Sequence, residues 1–253
     1  LGEGGYSRVY AASHEQIPGL EVAVKVLRRD RLRDASSAER FRREARLVGA
    51  LRNPHVIRIY DVGDLEDGRP FLVMEHIVGR SLDVVLAEDG TLDELSVAQI
   101  ARDVLRGLRA AHRAGIVHRD LKPDNIFVHR DSIEDDWFAK VLDFGIAKSL
   151  TDRTVEMGGK LTVAGQVVCT PAYAAPEIFE GTTTLATDVY ALGHLLAQLL
   201  DGHTPYPPDQ PLLMMAAQHV DPEPVPLGER ARLSALRPLI EKTVAKDLER
   251  RYR

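Results

Sequence analysis

Apolar and polar positions change rhythm partway along this chain. Up to about residue 74 the repeat is short. In "LEVAVKVLR", Val22 and Val24 alternate with Ala23 and Lys25; "YSRVYAAS" has the same β-rich character, and "GRPFLVME" reads as a further strand. Between them, "SSAERFRREARLVGAL" repeats Phe41, Ala45, Val48 and Leu51 at steps of three or four, with Arg and Glu on the other side. That spacing predicts an amphipathic helix, with Ser36 or Ser37 as its cap. The remainder is mostly helical. "TLDELSVAQIARDVLRGLRAAHRAG" predicts a long amphipathic helix from near Asp93 to Gly115. "ATDVYALGHLLAQLLDGHTPY" is a strongly apolar helix stopped by Gly202 and Pro205, and "RLSALRPLIEKTVAKDLERRYR" is a third, broken near Pro238. "HTPYPPDQP" is a proline-rich loop, and there is no internal repeat. The expected class is α+β: a small β-rich lobe (1–74) joined through 75–79 to a larger helical lobe (80–253).

Composition narrows the function more than the fold. A net charge of −5 on 253 residues gives no bulk attraction to nucleic acid or to an anionic membrane. The single cysteine, Cys169, excludes an internal disulfide framework and fits a reducing, cytoplasmic compartment. No apolar run is long enough to span a membrane. The first residue already lies inside a glycine motif and the last inside a charged helical pattern. Both ends are therefore expected to be cut from a longer chain, in which a membrane anchor has room outside this segment.

The candidate chemistry begins at "LGEGGYSRVY". A Gly-x-Gly-x-x-small loop serves hairpins as well as phosphates. A dinucleotide fold would place a helix directly after the glycines, but "RVYAAS" continues as a strand; the Gly-x-x-x-x-Gly-Lys-Ser/Thr of a P-loop is absent. Lys25 stands on a buried-type strand in "VAVK", where a cation held for phosphates would sit, and Glu44 on the nearby helix is a carboxylate able to hold it. In "IVHRDLKPDNIFV" a polar cluster lies between apolar flanks, which is costly unless its groups are paired or used. Asp120 suits the acceptance of a hydroxyl proton, Lys122 the neutralisation of a moving phosphoryl group, and Asn125 the coordination of a metal. Asp143 in "KVLDFGIAK" offers a second hard oxygen ligand of the kind Mg²⁺ takes.

In order, "LGEGGYSRV", "VAVK", Glu44, "FLVMEHIVG", "HRDLKPDN", "DFG", "TPAYAAPE", "DVYALG" and "KDLERRY" resemble a protein kinase catalytic domain, in particular the bacterial serine/threonine kinases of eukaryotic type. The resemblance covers nearly the whole chain and implies a bilobal kinase-like fold. It implies Asp120 as the catalytic base, assisted by Lys122, and Mg²⁺ (Mn²⁺ as the alternative) on Asn125 and Asp143. It also implies Lys25 paired with Glu44 on the α/β-phosphates of ATP. Leu1, Gly2, Gly4 and Ser7 would form the lid over ATP; Val9, Ala23 and Phe127 would enclose the adenine; Met74 would be the gatekeeper; the backbone of Glu75 and Ile77 would meet the ring. Tyr60, Val48, His118 and Phe144 would stack through both lobes on Asp188, and Glu177 would pair with Arg251. Lys122 and Thr170, the latter expected to bridge Asp120 and Lys122, imply Ser/Thr-bearing protein substrates.

Arg119 beside the base suits a phosphate. Of Thr151, Thr154, Thr162 and Thr170, Thr162 is the expected autophosphorylated residue, with a homodimer as one route to that modification. Ser7 and Cys169 stand where the family usually has glycine, and "SIEDDWF" lengthens a hairpin, read as a solvent turn. A pseudokinase would have lost Lys25, Asp120, Asn125 or Asp143. A small-molecule phosphotransferase would typically lack "TPAYAAPE" and "DVYALG", both present here. A nucleotide-binding regulatory module is the third alternative.

Overall fold

The computed structural model describes residues 1–3, 7–29, 35–130, 136–144 and 170–252. The β-rich part folds as expected. Strands β1 (Gly2–Glu3), β2 (Ser7–Ser13), β3 (Glu21–Leu27), β4 (Ile59–Asp64) and β5 (Pro70–Glu75) form one antiparallel sheet in the order β1-β2-β3-β5-β4. Register decides what each face carries. Val9 pairs with Lys25 and Lys25 with Leu72, while Ala11 pairs with Ala23 and Ala23 with Met74. Residues opposite one another share a face, so Val9, Ala23, Lys25, Leu72 and Met74 all point one way. Arg8, Tyr10, Val24, Val26 and Phe71 point the other way.

Helix α1 (Ala35–Gly49) packs on this sheet through Phe41, Ala45 and Val48, all buried. It begins before Ser36 and Ser37, so those serines lie in its first turn rather than outside it. The expected placement of Tyr60 in the core is corrected. A register shift between Ile59 and Asp61 leaves Tyr60 as the extra residue of a bulge, 47% exposed beneath the Arg58 guanidinium. Ile59, paired with Met74, packs on the core in its place.

Beyond β5 come β6 (Arg80–Ser81), α2 (Leu82–Asp89) and α3 (Glu94–Arg113). Asp93 caps α3 by accepting from the amides of Leu95 and Ser96. The 3₁₀ turn Pro123–Asn125 leads into β7 (Ile126–Arg130), which pairs with β6 and β8 (Trp137–Val141). The apolar residues before Asp120 are irregular backbone. Residues 132–135 of the lengthened hairpin lie outside the described residues; at its end Asp136 is exposed. Trp137 is buried, and its indole N–H donates to Ser96 Oγ at 3.0 Å.

The centre of the larger lobe is α5 (Leu185–Asp201), which follows the single-turn α4 (Pro176–Phe179). It is buried almost all round, so it lacks a polar face. Helices α6 (Leu212–Val220), α7 (Glu229–Leu233) and α8 (Arg237–Thr243) surround it. The break expected near Pro238 falls earlier, at Ser234–Leu236, because Pro238 occupies the first turn of α8, where its missing N–H costs nothing. Gly193 lets α5 and α8 approach closely: a Cβ there would lie 2.3 Å from Thr243 Oγ1 and 2.5 Å from Val244 Cγ1.

Candidate active site

The cleft between the two lobes is lined by the inner sheet face above and by two irregular turns below. Lys25 stands in the middle of β3, almost wholly buried. Its Nζ lies 2.6 Å from Asp143 Oδ1, so the pair joins the sheet to the segment after β8. The expected partner Glu44 is half-buried on α1. Burial pushes the Asp143 carboxyl up, but the charge and hydrogen bond of Lys25 outweigh it and hold the group below the ordinary carboxylate range. Asp143 also has a φ of 46°, in the left-handed region that non-glycine residues rarely adopt.

The turn carrying Asp120 is held from beneath by a buried carboxylate. Asp188, at the start of α5, accepts the backbone N–H of His118 (2.8 Å) on Oδ2 and that of Arg119 (2.9 Å) on Oδ1. Its Oδ2 also meets His112 Nε2 at 2.7 Å. These bonds hold Arg119 at a φ of 66°, a strained conformation that persists where neighbours over-determine it. His118 is fully buried. Its Nδ1 accepts from the Asp120 N–H (3.2 Å), so Nε2 carries the proton and donates to the Leu142 carbonyl (2.7 Å). Burial keeps this imidazole below its ordinary pKa, and hence neutral. The ring lies 4.8 Å from Phe144, which is buried along with Val48.

Asp120 accepts from Thr170 Oγ1 at 2.9 Å. Asn125 Nδ2 donates to the Asp120 carbonyl at 2.8 Å, which leaves the Asn125 amide oxygen as an acceptor. The Leu142 N–H bonds the Asn125 carbonyl at 2.8 Å, bringing Asn125 beside Asp143. These two hard oxygen donors suit a divalent cation. Among the described residues, no cluster of three or more His, Cys, Asp or Glu side chains forms another such site. Lys122 Nζ lies 3.9 Å from Asp124 Oδ2.

The rest of the expected nucleotide wall is divided between sheet and hairpin. Val9, Ala23 and Met74 share the inner sheet face, Ser7 is buried at the start of β2, and Phe127 is half-buried on β7. Leu1 is 71% exposed at the chain start, next to Gly2 on β1, and Ile77 packs on the core. Glu75 turns its carboxylate back toward Lys140 Nζ, both oxygens at 2.7 Å, and accepts from the Arg58 N–H. The sequence reading missed this strut and also His112. Lys140 directly precedes the apolar pair before Asp143, and its two-residue alternation along β8 was the available signal. Glu177 and Arg251 meet as expected, at 2.7 Å and almost fully buried. Gly4, Thr151, Thr154, Thr162 and Cys169 lie outside the described residues.

The model of the protein kinase domain family matches residues 1–252. The chain is 39% identical to the serine/threonine-protein kinase pkn3 of Myxococcus xanthus, over 99% of this chain and 45% of that protein. It is 37% identical to the serine/threonine-protein kinase PknB of Mycolicibacterium smegmatis, over 100% of this chain and 40% of that protein. The chain thus spans less than half the length of these relatives. The kinase domain of Mycobacterium tuberculosis PknI, a C20A_R136A double mutant, superimposes with a TM-score of 0.72 at 23% identity, covering 100% of this chain and 87% of that one, a likeness of fold.

Proposed function

Because the chain belongs to the protein kinase domain family, we propose that it moves the γ-phosphoryl group of ATP to serine and threonine hydroxyls of proteins. The observation that carries this reading is the arrangement around Asp120. One carboxylate oxygen is engaged by Thr170, and the turn beneath it is held by Asp188. A base so fixed accepts the proton of the incoming hydroxyl without first reorganising. Residues 1–74 and 80–253 act as the two lobes, with 75–79 as the hinge between them.

Lys25 holds the α- and β-phosphates, with Glu44 as its partner once Asp143 turns to a cation. Mg²⁺, or Mn²⁺, bound by Asn125 and Asp143 would supply charge neutralisation for the phosphates. Lys122 lies two residues from the base, where its ammonium meets the transferring group. Thr170 keeps Asp120 aimed, and Lys122 completes the bridge that Thr170 begins. Leu1, Gly2, Gly4 and Ser7 lie over the phosphates, and Val9, Ala23, Met74 and Phe127 enclose the base, whose polar edge meets the backbone of Glu75 and Ile77. Phosphorylation of Thr162, in one copy by another, would give Arg119 a dianion to bind and so order the substrate-side loop. Its site of action is the cytoplasm.

The test is transfer of radiolabelled phosphate from ATP–Mg²⁺ to a generic basic protein, with Asp120→Asn as the companion variant. Transfer by the wild-type chain that the variant lacks is expected; equal transfer by both would overturn the role of Asp120. Mass spectrometry of the active domain should find Thr162 phosphorylated, and a fully active Thr162→Ala chain would remove the regulatory part.

A further inference from the structure

The outer face of α3 carries a row of arginines that phosphoryl transfer does not use. Arg102, Arg106, Arg109 and Arg113 recur at steps of four, three and four, so they share one side of the helix, and all four are exposed. The row runs for roughly 16 Å along the helix. The opposite side of α3, with Ile100, Val104, Leu108 and Ala111, is buried in the core. A fifth guanidinium joins from the loop after α1. Gly107 lets that loop approach, since a Cβ there would lie 2.7 Å from the His55 carbonyl oxygen, and Asn53 Nδ2 donates to the Arg106 carbonyl at 3.3 Å. Arg52, the exposed neighbour of Asn53, is thereby brought beside the row.

Asp103 answers part of this charge. One oxygen of its buried carboxylate takes Arg102 Nε at 3.0 Å and lies 3.6 Å from Arg106 NH1, while the other accepts the Ala139 N–H at 3.2 Å. Arg52, Arg109 and Arg113 meet no carboxylate among the described residues. The exposed Asp136 meets Gln99, one turn before the row begins. Like charges three and four positions apart repel and weaken a helix. The helix dipole favours a cation in the last turn, which accounts for Arg113 but not for the three arginines before it. Leu105, 39% exposed, lies within the same row.

We propose that Arg52, Arg102, Arg106, Arg109 and Arg113, with Leu105, form a docking surface for an acidic segment of a partner protein. Charge complementarity selects this occupant: a line of guanidinium forks one residue wide matches carboxylates repeated along one peptide or helix. Leu105 gives that segment an apolar side chain to cover. A membrane surface fits less well, because α3 keeps its apolar face in the core and has none left to insert. A nucleic acid backbone is repelled by the chain's net charge of −5. None of the six residues takes part in the proposed phosphoryl transfer, so the surface stands whether or not that reading holds.

The test is fluorescence anisotropy with a labelled peptide of glutamate, leucine and alanine, its glutamates spaced to share one helix face, beside a twin in which every glutamate is glutamine. The acidic peptide should bind and its twin should not, and affinity should fall as salt rises. Arg109→Gln and Arg113→Gln should each weaken binding about threefold, and the double variant about tenfold. Leu105→Ser should weaken binding while leaving its salt dependence as it was. Arg250→Gln, at an exposed arginine elsewhere on the chain, should leave binding unchanged. Circular dichroism confirms that each variant is folded. In a companion sedimentation with vesicles of phosphatidylcholine and phosphatidylserine, the chain should stay in the supernatant. The proposal is overturned if the acidic peptide does not bind, if the twin binds equally well, or if the folded double variant binds like wild type. It is also overturned if Arg250→Gln weakens binding as much as Arg109→Gln, or if the wild-type chain sediments with the vesicles and the double variant does not.

Discussion

Arg251→Met should be among the most damaging single substitutions far from the cleft. The Arg251 side chain is fully buried and spans several elements. Its NH1 meets Glu177 Oε1 at 2.7 Å, its Nε donates to the Ala245 carbonyl, and its NH2 donates to the Lys246 carbonyl at 3.0 Å. Its guanidinium also lies 4.8 Å from the centre of the Tyr190 ring. Methionine roughly preserves volume but leaves Glu177 as a buried carboxylate supported by the Thr187 hydroxyl at 2.9 Å. Breaking a buried pair from one side costs about 3–5 kcal/mol. For a domain of this size that is a fall in Tm of roughly 6–20 °C. Urea denaturation followed by circular dichroism measures it, with Glu177→Gln and the double variant completing a cycle. The double variant removes both charges, so it should be more stable than the sum of the single losses by about 0.5–3 kcal/mol. The reasoning fails if Arg251→Met unfolds within about 0.5 kcal/mol of wild type, the range of an ordinary surface change, or if the cycle shows no coupling.

Three further outcomes follow from the same geometry. Thr170→Val removes the hydroxyl that holds Asp120, a charge-assisted bond of about 1.5–3 kcal/mol, so kcat should fall roughly 10- to 100-fold while KM for ATP stays near wild type; an unchanged kcat would show that Asp120 needs no such support. Lys140→Met removes the bidentate strut from Glu75, and at about 1 kcal/mol it should raise KM for ATP about fivefold, measured by steady-state kinetics. Acid should destabilise the fold through buried histidines. Burial first and Lys246 second push His219 down to about 4, and His194, whose ring nitrogens have no hydrogen-bond partner among the described residues, lies well below 6.5. The unfolded chain then takes up protons that the folded one refuses, so stability is lost as pH falls below about 6.5; at pH 5 His219 alone contributes a loss of about 2 kcal/mol. His194→Val should melt higher and lose less between pH 7 and pH 5. Parallel slopes for variant and wild type would remove His194 from this account.

Much of the site was legible in the chain because its parts are local. A polar run between apolar flanks marks Asp120 and Asn125; alternation places Lys25 on a buried face; the capping Asp93 and the left-handed Gly115 delimit α3 where periodicity put it. Other features were not legible, for reasons that can be named. Whether Tyr60 or Ile59 faces the core depends on one bulge, because an inserted residue reverses the inside and outside of a strand without changing its composition. "SIEDDWF" is polar enough to read as a turn, yet Trp137 finds Ser96 on a helix 41 residues earlier.

The sequence by itself therefore determined the elements, their order and the chemical groups, since propensity, period and motif act over a few residues. Tertiary structure decided the pairings. Lys25 meets Asp143 across 118 positions, Glu177 meets Arg251 across 74, and Lys140 meets Glu75 across 65. Arg52 comes beside the arginines of α3 because Gly107 lets a loop pack against that helix. Such contacts follow from how whole elements pack, and chain order alone does not specify which side chains that packing brings within a few ångströms.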